Sequence, residues 1–506
     1  MSAMKLTGEQ LAVCDSDASI IKVTAGAGTG KTSTLKAFAE ANRDERILYV
    51  AFNKSIQLEA ASKFPSNTTA KTAHSIAYGQ CGREYGNVPN KLQGDIKPFH
   101  IQRFITRSTN DIPQSAHNLY GGRVIETVKN FLVSADTSLG LKHVSIGSAP
   151  VETKHFNEKQ IAGDAEQIWK LMQDLKSEVP MLHDGYLKLY QLSGRRLPYG
   201  IILFDEAQDT NPVTQAIVDA QNARKVYVGD RHQAIYGFRG ATNAMESIQA
   251  DEHHYLTGSF RFGKAVADVA NLLLAAKGDK MRLRGLGPES RVRQVSADEG
   301  YAFISRGNSA LFNRAVQALT DGQPFSFVGE MKGYRFDQIL DVYNLSAGNQ
   351  VKDPFIRSFA GFDELVEYAE AINDREIKAR CKLVNKYLND IPRLIEQIEN
   401  KALPPVASRS ESSTGVKRIE LTTGHKSKGL EFPNVQLAGD FVELIDEDGK
   451  VFDIGDASDQ DIEEVNIQYV AATRAQNALQ LCESLLAYQE HVSEFGHEQE
   501  PRLKMA

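Results

Sequence analysis

KVTAGAGTGKTSTL, residues 22–35, runs from an apolar strand through a glycine-rich turn into a helical pattern. Gly28 and Gly30 let the turn take backbone conformations barred to other residues, so consecutive N–H groups converge on one point. Converging amides bind anions, and Lys31 and Thr32 directly after them point to a polyphosphate. Lys31 would reach the β- and γ-phosphates, and Thr32 would turn its hydroxyl to Mg2+. The helix N-terminus behind them adds partial positive charge. Ala25 stands where the first glycine of this pattern is usually written. A strand that ends in such a loop opens a parallel α/β core.

The second landmark is GIILFDEAQD (200–209), an apolar strand ending in two carboxylates. Asp205 at the strand end is placed to hold Mg2+, directly or through water, and Glu206 beside it to orient and deprotonate an attacking water. Lys31 and Asp205 stand 174 residues apart, too far for one compact α/β core. A sizeable insertion therefore lies between their strands.

Further short apolar runs alternate with helical patterns: RILYVAF (46–52), KVYVG (225–229), AFISR (302–306), FSFVG (325–329) and NVQLAG (434–439). Several are continuous rather than alternating, which suits strands buried on both faces of a parallel sheet. Residues 80–195 read as helical and polar, without paired strand signals. Residues 330–403 also read as helical, until Pro404 and Pro405 stop the pattern and SRSESSTG (408–415) follows as a linker. Both stretches are expected to be insertions into α/β cores. Trp169, in EQIWKLM at helical spacing with Ile168, Leu171 and Met172, is expected in a core.

At 506 residues the chain is long enough for more than one core. With 42% hydrophobic and 24% charged residues it has the profile of a folded globular protein. No apolar run is long enough to span a membrane. Cys14, Cys81, Cys381 and Cys482 form no CxxC pair, which argues against a zinc ribbon and fits a reducing compartment: cytoplasm, or nucleus in a eukaryote. The net charge of −7 argues against a nucleic-acid partner at first sight. Residues 440–464, however, hold eleven acidic residues and one lysine, so local patches must decide. That acidic segment reads as a solvated loop. The basic segment KGDKMRLRGLGPESRVR (277–293) reads equally as a phosphate track or a solvated face.

Ten segments in order carry a resemblance: LTGEQ (6–10), AGAGTGKT (25–32), YVAFNKS (49–55), KTAHSIAYG (71–79), HDGYLKLYQLS (183–193), DEAQD (205–209), VGDRHQAIYGFRGA (228–241), SFRFG (259–263), HKSKGLEF (425–432) and YVAATRA (469–475). In this order they resemble the UvrD-like branch of superfamily 1 DNA helicases, and within it the F-box DNA helicase family. The group often carries alanine at the position of Ala25. Its eukaryotic members carry an F-box ahead of the helicase. Here the first motif begins within ten residues of the N-terminus, so a ubiquitin-ligase role is not expected.

The resemblance implies two P-loop NTPase (RecA-like) cores, each with a mainly helical insertion. The first core would comprise residues 1–80 and 196–258, with the insertion 81–195; the second 259–330 and 412–506, with the insertion 331–411. The cofactors implied are ATP and Mg2+. Ala25, Gly26, Ala27, Gly28, Thr29, Gly30, Lys31 and Thr32 would cradle the phosphates. Gln10 would read the adenine edge, and Glu431 would hydrogen-bond the ribose or lie close to it. Gln233 would sense the γ-phosphate. Arg261 and Arg474 would be arginine fingers, two cations for the charge that moves in phosphoryl transfer.

For the strand, Phe52, Tyr236 and Phe238 are candidates for base stacking, with phenylalanine where the family usually has tryptophan at 238. Lys54, Thr72 and His74 are candidates for phosphate contacts, and Arg239 for contacting DNA or bracing the loop. The function implied is an ATP-dependent 3′–5′ DNA helicase acting on single strands and single-/double-strand junctions, in DNA repair or recombination control. A recombinase filament or a nuclease is the partner class considered, and no membrane. Two alternatives stay open: an ATP-gated DNA-binding subunit of a larger complex with little unwinding alone, and an RNA helicase, since phosphate-loop chemistry does not distinguish sugars.

Overall fold

A computed structural model of the chain describes residues 5–110, 112, 116–145, 156–237, 244–371, 374–406, 416–446 and 449–495. The chain divides near Leu256 into two compact units.

The first unit is built on a six-stranded parallel sheet. Its strands in chain order are β1 (Ile20–Ala25), β2 (Ile47–Ala51), β3 (Thr68–Thr72), β4 (Ile201–Phe204), β5 (Arg224–Gly229) and β6 (Glu252–Leu256). They lie side by side in the order β3-β2-β4-β5-β1-β6. All pairings are parallel; Val23 faces Val228 across β1 and β5, and Tyr49 faces Leu203 across β2 and β4. Both faces of the sheet are covered. Ile21, Val23, Tyr49 and Leu203 pack on one side with Phe38 of the helix Lys31–Ala41. Leu48, Val50, Ile202 and Phe204 pack on the other with Tyr186 and Leu187. This is the burial expected from unbroken apolar runs.

Between β3 and β4 lies a helical body with a core of its own, made by Tyr120, Val124, Phe131, Ile161, Trp169 and Met172 among others. Its long helices are His117–Val133 and Glu158–Gln173. Trp169 is buried there, edge-on to Phe131, as expected. One expectation is corrected. This stretch does contain a strand pair, Leu92–Gln93 parallel to Met181–Leu182. Two residues per strand are too few to leave a periodic signal.

The second unit has its own six-stranded parallel sheet: β7 (Arg291–Val292), β8 (Tyr301–Ser305), β9 (Phe325–Phe327), β10 (Ile419–Thr423), β11 (Phe432–Leu437) and β12 (Ala475–Gln480), in the order β7-β12-β11-β8-β10-β9. Helices Phe336–Ser346, Phe362–Ala371, Arg375–Tyr387 and Ile391–Lys401 fall between β9 and β10. They do not form a separate body. One apolar cluster runs from Phe303 and Phe325 in the sheet through Val342 and Leu383 to Ile398 in the last helix.

The acidic stretch 440–464 is also corrected. It is anchored at both ends rather than solvated throughout. Asp440 accepts the backbone N–H groups of Arg306 and Gly307, each across 2.9 Å. Glu464 is buried and takes the Arg306 guanidinium across 2.6 Å. Phe441 and Leu444 between them are buried. In the basic segment 277–293, Arg282 donates to the carbonyls of Asp279 and Met281, and Arg291 pairs with Glu289, which favours the surface-face reading. Among the described residues no helix is long and apolar enough to cross a membrane.

Candidate active site

β1 ends at Ala25, and the chain turns through Gly28 (φ 73°) and Gly30 (φ 79°), both in the left-handed region that favours glycine. Thr29 closes the turn by donating its hydroxyl to the Gly26 carbonyl across 2.9 Å. Gly30 caps the helix Lys31–Ala41 without a side chain, so the first turn of N–H groups is left to whatever the loop holds. Thr32 is exposed at that first turn. Gln10 is buried, and its Oε1 accepts the Thr7 N–H across 3.0 Å in a capping box at the helix Gly8–Cys14.

The second wall comes from the end of β4. Asp205 and Glu206 follow Phe204, and Lys31 Nζ lies 3.4 Å from Glu206 Oε1. Asp205 is buried; its Oδ2 accepts the Tyr49 hydroxyl across 2.6 Å and its Oδ1 the Glu206 N–H across 2.9 Å. Burial pushes the Asp205 carboxyl above the ordinary range and the Glu206 charge adds to this, while Lys31 and the two hydrogen bonds pull it down. Glu206 has a left-handed backbone, φ 53° and ψ 42°, unusual for a residue with a side chain. The Gln208 amide donates to Glu206 Oε2 across 2.6 Å. Gln233 donates to Asp230 Oδ2, also across 2.6 Å.

A metal expectation can be tested against these donors. Among the described residues, no three His, Cys, Asp or Glu side chains gather as a closed cage. Mg2+ does not require one. It is bound through one or two protein oxygens together with phosphate oxygens and water. A carboxylate at Asp205 and a hydroxyl at Thr32 are hard oxygen donors and fit that pattern.

Past Asp205 the same strand ends open into a cleft of about 350 Å³. Phe52, His74, Asp184, Asp209, Thr214 and Tyr236 line it. The rings of Phe52 and Tyr236 lie nearly parallel, 13° apart, with centroids at 5.9 Å. Phe52 is 40% exposed. His74 Nε2 and Asp184 Oδ1 are 2.9 Å apart. Thr72 uses its hydroxyl as the cap of the helix Ala73–Ala77, accepting the Ser75 N–H across 3.1 Å. Lys54 is exposed and donates to Gln57 Oε1 across 3.2 Å. Phe238 and Arg239 lie outside the described residues.

In the second unit, Arg261 donates from Nε to Glu431 Oε1 across 2.8 Å and from Nη1 to the Thr473 carbonyl across 3.1 Å. Gln476 holds the other Glu431 oxygen across 3.0 Å. Glu431, expected to hydrogen-bond the ribose or lie close to it, accepts the Arg261 guanidinium. Burial raises its pKa, but Arg261, with smaller help from Arg474 and the Gln476 amide, outweighs that and holds the carboxyl below its usual range. Arg474 is 1% exposed and donates to the Val470 and Leu430 carbonyls and to Thr473 Oγ1. Its guanidinium braces the chain around it.

Sequence reasoning missed three residues of these sites: Tyr49, Gln208 and Asp184. Each sat inside a segment already singled out, YVAFNKS, DEAQD and HDGYLKLYQLS. The available signal was a polar group among apolar or acidic neighbours, which a buried partner would explain.

Comparison with known proteins bears on the whole chain. Residues 6–255 match the UvrD/REP helicase N-terminal domain and residues 341–484 the UvrD-like helicase C-terminal domain. F-box DNA helicase 1 of Gallus gallus is 33% identical over 96% of this chain and 50% of its own length. F-box DNA helicase protein 1 of Schizosaccharomyces pombe is 31% identical over 95% of this chain and 58% of its own. The chain thus spans about half the length of these curated relatives. Gabija protein GajB of Bacillus cereus is 23% identical over 92% of each chain. Both halves of one family pattern are matched in sequence order, the first over the sheet that carries the phosphate loop: the chain belongs to the UvrD-like helicases.

Proposed function

We propose that the chain is an ATP-driven motor that moves 3′ to 5′ along single-stranded DNA and opens duplex at single-/double-strand junctions. One observation carries the reading. The ends of β2 and β4 lead both to Asp205 and Glu206 and to the aromatic cleft, which Asp209 lines four residues further on. Groups that share so few residues can feel each other's occupancy, which is what coupling requires. Family membership and the names of the chicken and fission-yeast relatives support DNA as the substrate. Polarity comes from the family resemblance.

In this reading the loop from Ala25 to Thr32 holds the phosphates of ATP, and Gln10 reads the adenine. Thr32 and Asp205 hold Mg2+, which when bound neutralises phosphate charge. Glu206, with Lys31 Nζ 3.4 Å away, takes the proton of the attacking water. Gln233 senses the γ-phosphate. Arg261 and Arg474 supply the transition-state cations, with Glu431 and Gln476 aiming Arg261. Phe52, Tyr236 and Phe238 stack on bases, while Lys54, Thr72, His74 and Arg239 meet the backbone. Residues 1–80 with 196–258, and 259–330 with 412–506, act as motor cores; 81–195 and 331–411 are their insertions. Nucleotide turnover alternately favours and relaxes closure of the cores on the strand. A duty in repair or recombination control, with a recombinase filament or a nuclease as partner, belongs to the same proposal.

Steady-state ATPase with and without single-stranded DNA, on wild type, Lys31→Ala and Glu206→Gln, tests it. Low basal turnover, strong stimulation by DNA and loss in both variants are expected, with ATP binding retained in Glu206→Gln. Turnover that ignores DNA, or that survives both substitutions, overturns the reading. Stimulation by RNA alone would replace DNA with RNA as substrate.

A further inference from the structure

Gln208, the fourth residue of DEAQD, is 1% exposed, and its side-chain amide is engaged at both ends. Nε2 donates to Glu206 Oε2 across 2.6 Å and to Asp209 Oδ2 across 3.1 Å. Oε1 accepts the Asp230 N–H across 3.0 Å. The partners dictate the orientation of the amide. Turned over, its oxygen would face two carboxylates and its NH2 group an N–H. Asp230 extends the chain, since its Oδ1 accepts the His232 N–H across 3.0 Å and its Oδ2 the Gln233 amide across 2.6 Å.

Two further observations bear on the amide. The first is space: a Cβ at Gly229 would stand 2.5 Å from Gln208 Oε1, so glycine there makes room for it. The second is the state of Glu206. Its left-handed backbone is strained, so relaxed local geometry does not set the aim of its carboxylate. That carboxylate is held from two sides instead, Lys31 on Oε1 and Gln208 on Oε2.

We propose that Gln208 is a positioning residue: its amide fixes the Glu206 carboxylate to the Asp230–Gln233 turn and to the Asp209 wall of the cleft, so that a strand in the cleft sets the aim of the water-activating group. The proposal rests on the motor reading above. Glutamate at this position loses both donated bonds and sets a third carboxylate against Glu206 and Asp209. Methionine keeps the length and none of the hydrogen bonds.

The test uses the whole chain, with Gln208→Met, Gln208→Glu and Gly229→Ala. Affinity is measured for a fluorescent non-hydrolysable ATP analogue and for oligo-dT, alongside kcat and KM for ATP with and without oligo-dT. In both Gln208 variants the two affinities and KM stay within about threefold of wild type, while strand-stimulated kcat falls at least about tenfold. Gly229→Ala, which displaces the amide without removing it, falls between. Full stimulation in Gln208→Met overturns the proposal. So does a parallel loss of nucleotide or oligo-dT affinity, which would make Gln208 a folding residue. Should Gln208→Met not fold, Gly229→Ala decides, and wild-type kcat there overturns the proposal. A wild-type chain whose turnover ignores oligo-dT defeats the motor reading itself, and that is visible before any variant is made.

Discussion

The Tyr49 hydroxyl donates to Asp205 Oδ2 across 2.6 Å, and both side chains are buried. The strand before the aromatic Phe52 therefore also holds the carboxylate proposed to carry Mg2+. Tyr49→Phe removes the donor and keeps the ring. Outer-shell partners of metal ligands are typically worth about 10- to 100-fold in affinity or activity. The Mg2+ concentration for half-maximal turnover should rise within that range, while KM for ATP at saturating Mg2+ stays near wild type. An unchanged Mg2+ titration would remove Asp205 from the metal.

Phe52 offers a ring that is 40% exposed and nearly parallel to Tyr236. A base–aromatic stack is worth about 1–3 kcal/mol, so Phe52→Ala should weaken single-strand binding about 5- to 150-fold. Fluorescence anisotropy with labelled oligo-dT across a salt series reads this. The slope against salt should hold, because no phosphate contact is removed. Unchanged affinity across the series would place Phe52 outside the strand path.

Arg261 is aimed by Glu431 and by the Thr473 carbonyl. Lysine keeps the charge and loses the planar fork that meets both acceptors. Arg261→Lys should lower DNA-stimulated kcat about 10³-fold, the lower end for an arginine finger, with oligo-dT affinity unchanged. Single-turnover measurement separates this from slow product release. A variant within tenfold of wild type would assign Arg261 to the fold rather than to the reaction.

The Glu431 carboxyl is held below its ordinary value near 4.5, because Arg261, Arg474 and Gln476 together outweigh the effect of burial. A carboxylate with a depressed folded pKa adds stability that is fully present above the ordinary value. That stability is lost as pH falls through the folded value. Thermal unfolding of wild type and Glu431→Gln between pH 3 and 7 should therefore diverge most above about pH 5 and converge toward pH 3. A gap that widens on acidification would reverse the sign and exclude the pair as its cause.

The central strands were legible because they are buried on both faces. IILF at 201–204 leaves no polar residue to confuse its reading. Strands not singled out from the sequence include the polar edge strands TTAKT (68–72) and EHHYL (252–256), and AQNALQ (475–480). An edge strand with one open side has no reason to be apolar. Lys31, Asp205 and Glu206 were legible because their chemistry is local to strand ends. Their supports were not. His74 meets Asp184 across 110 positions and Arg306 meets Glu464 across 158, and such pairs leave no period in a sequence. The Glu431–Arg261 contact likewise depends on how distant segments pack.

The left-handed backbone of Glu206 has an engineering consequence. Glycine would relax that position by roughly 1 kcal/mol and so lengthen survival on heating. Selection for heat resistance alone would therefore favour replacing the one carboxylate proposed to activate water. Any programme of thermal hardening of this protein has to score turnover in the same round.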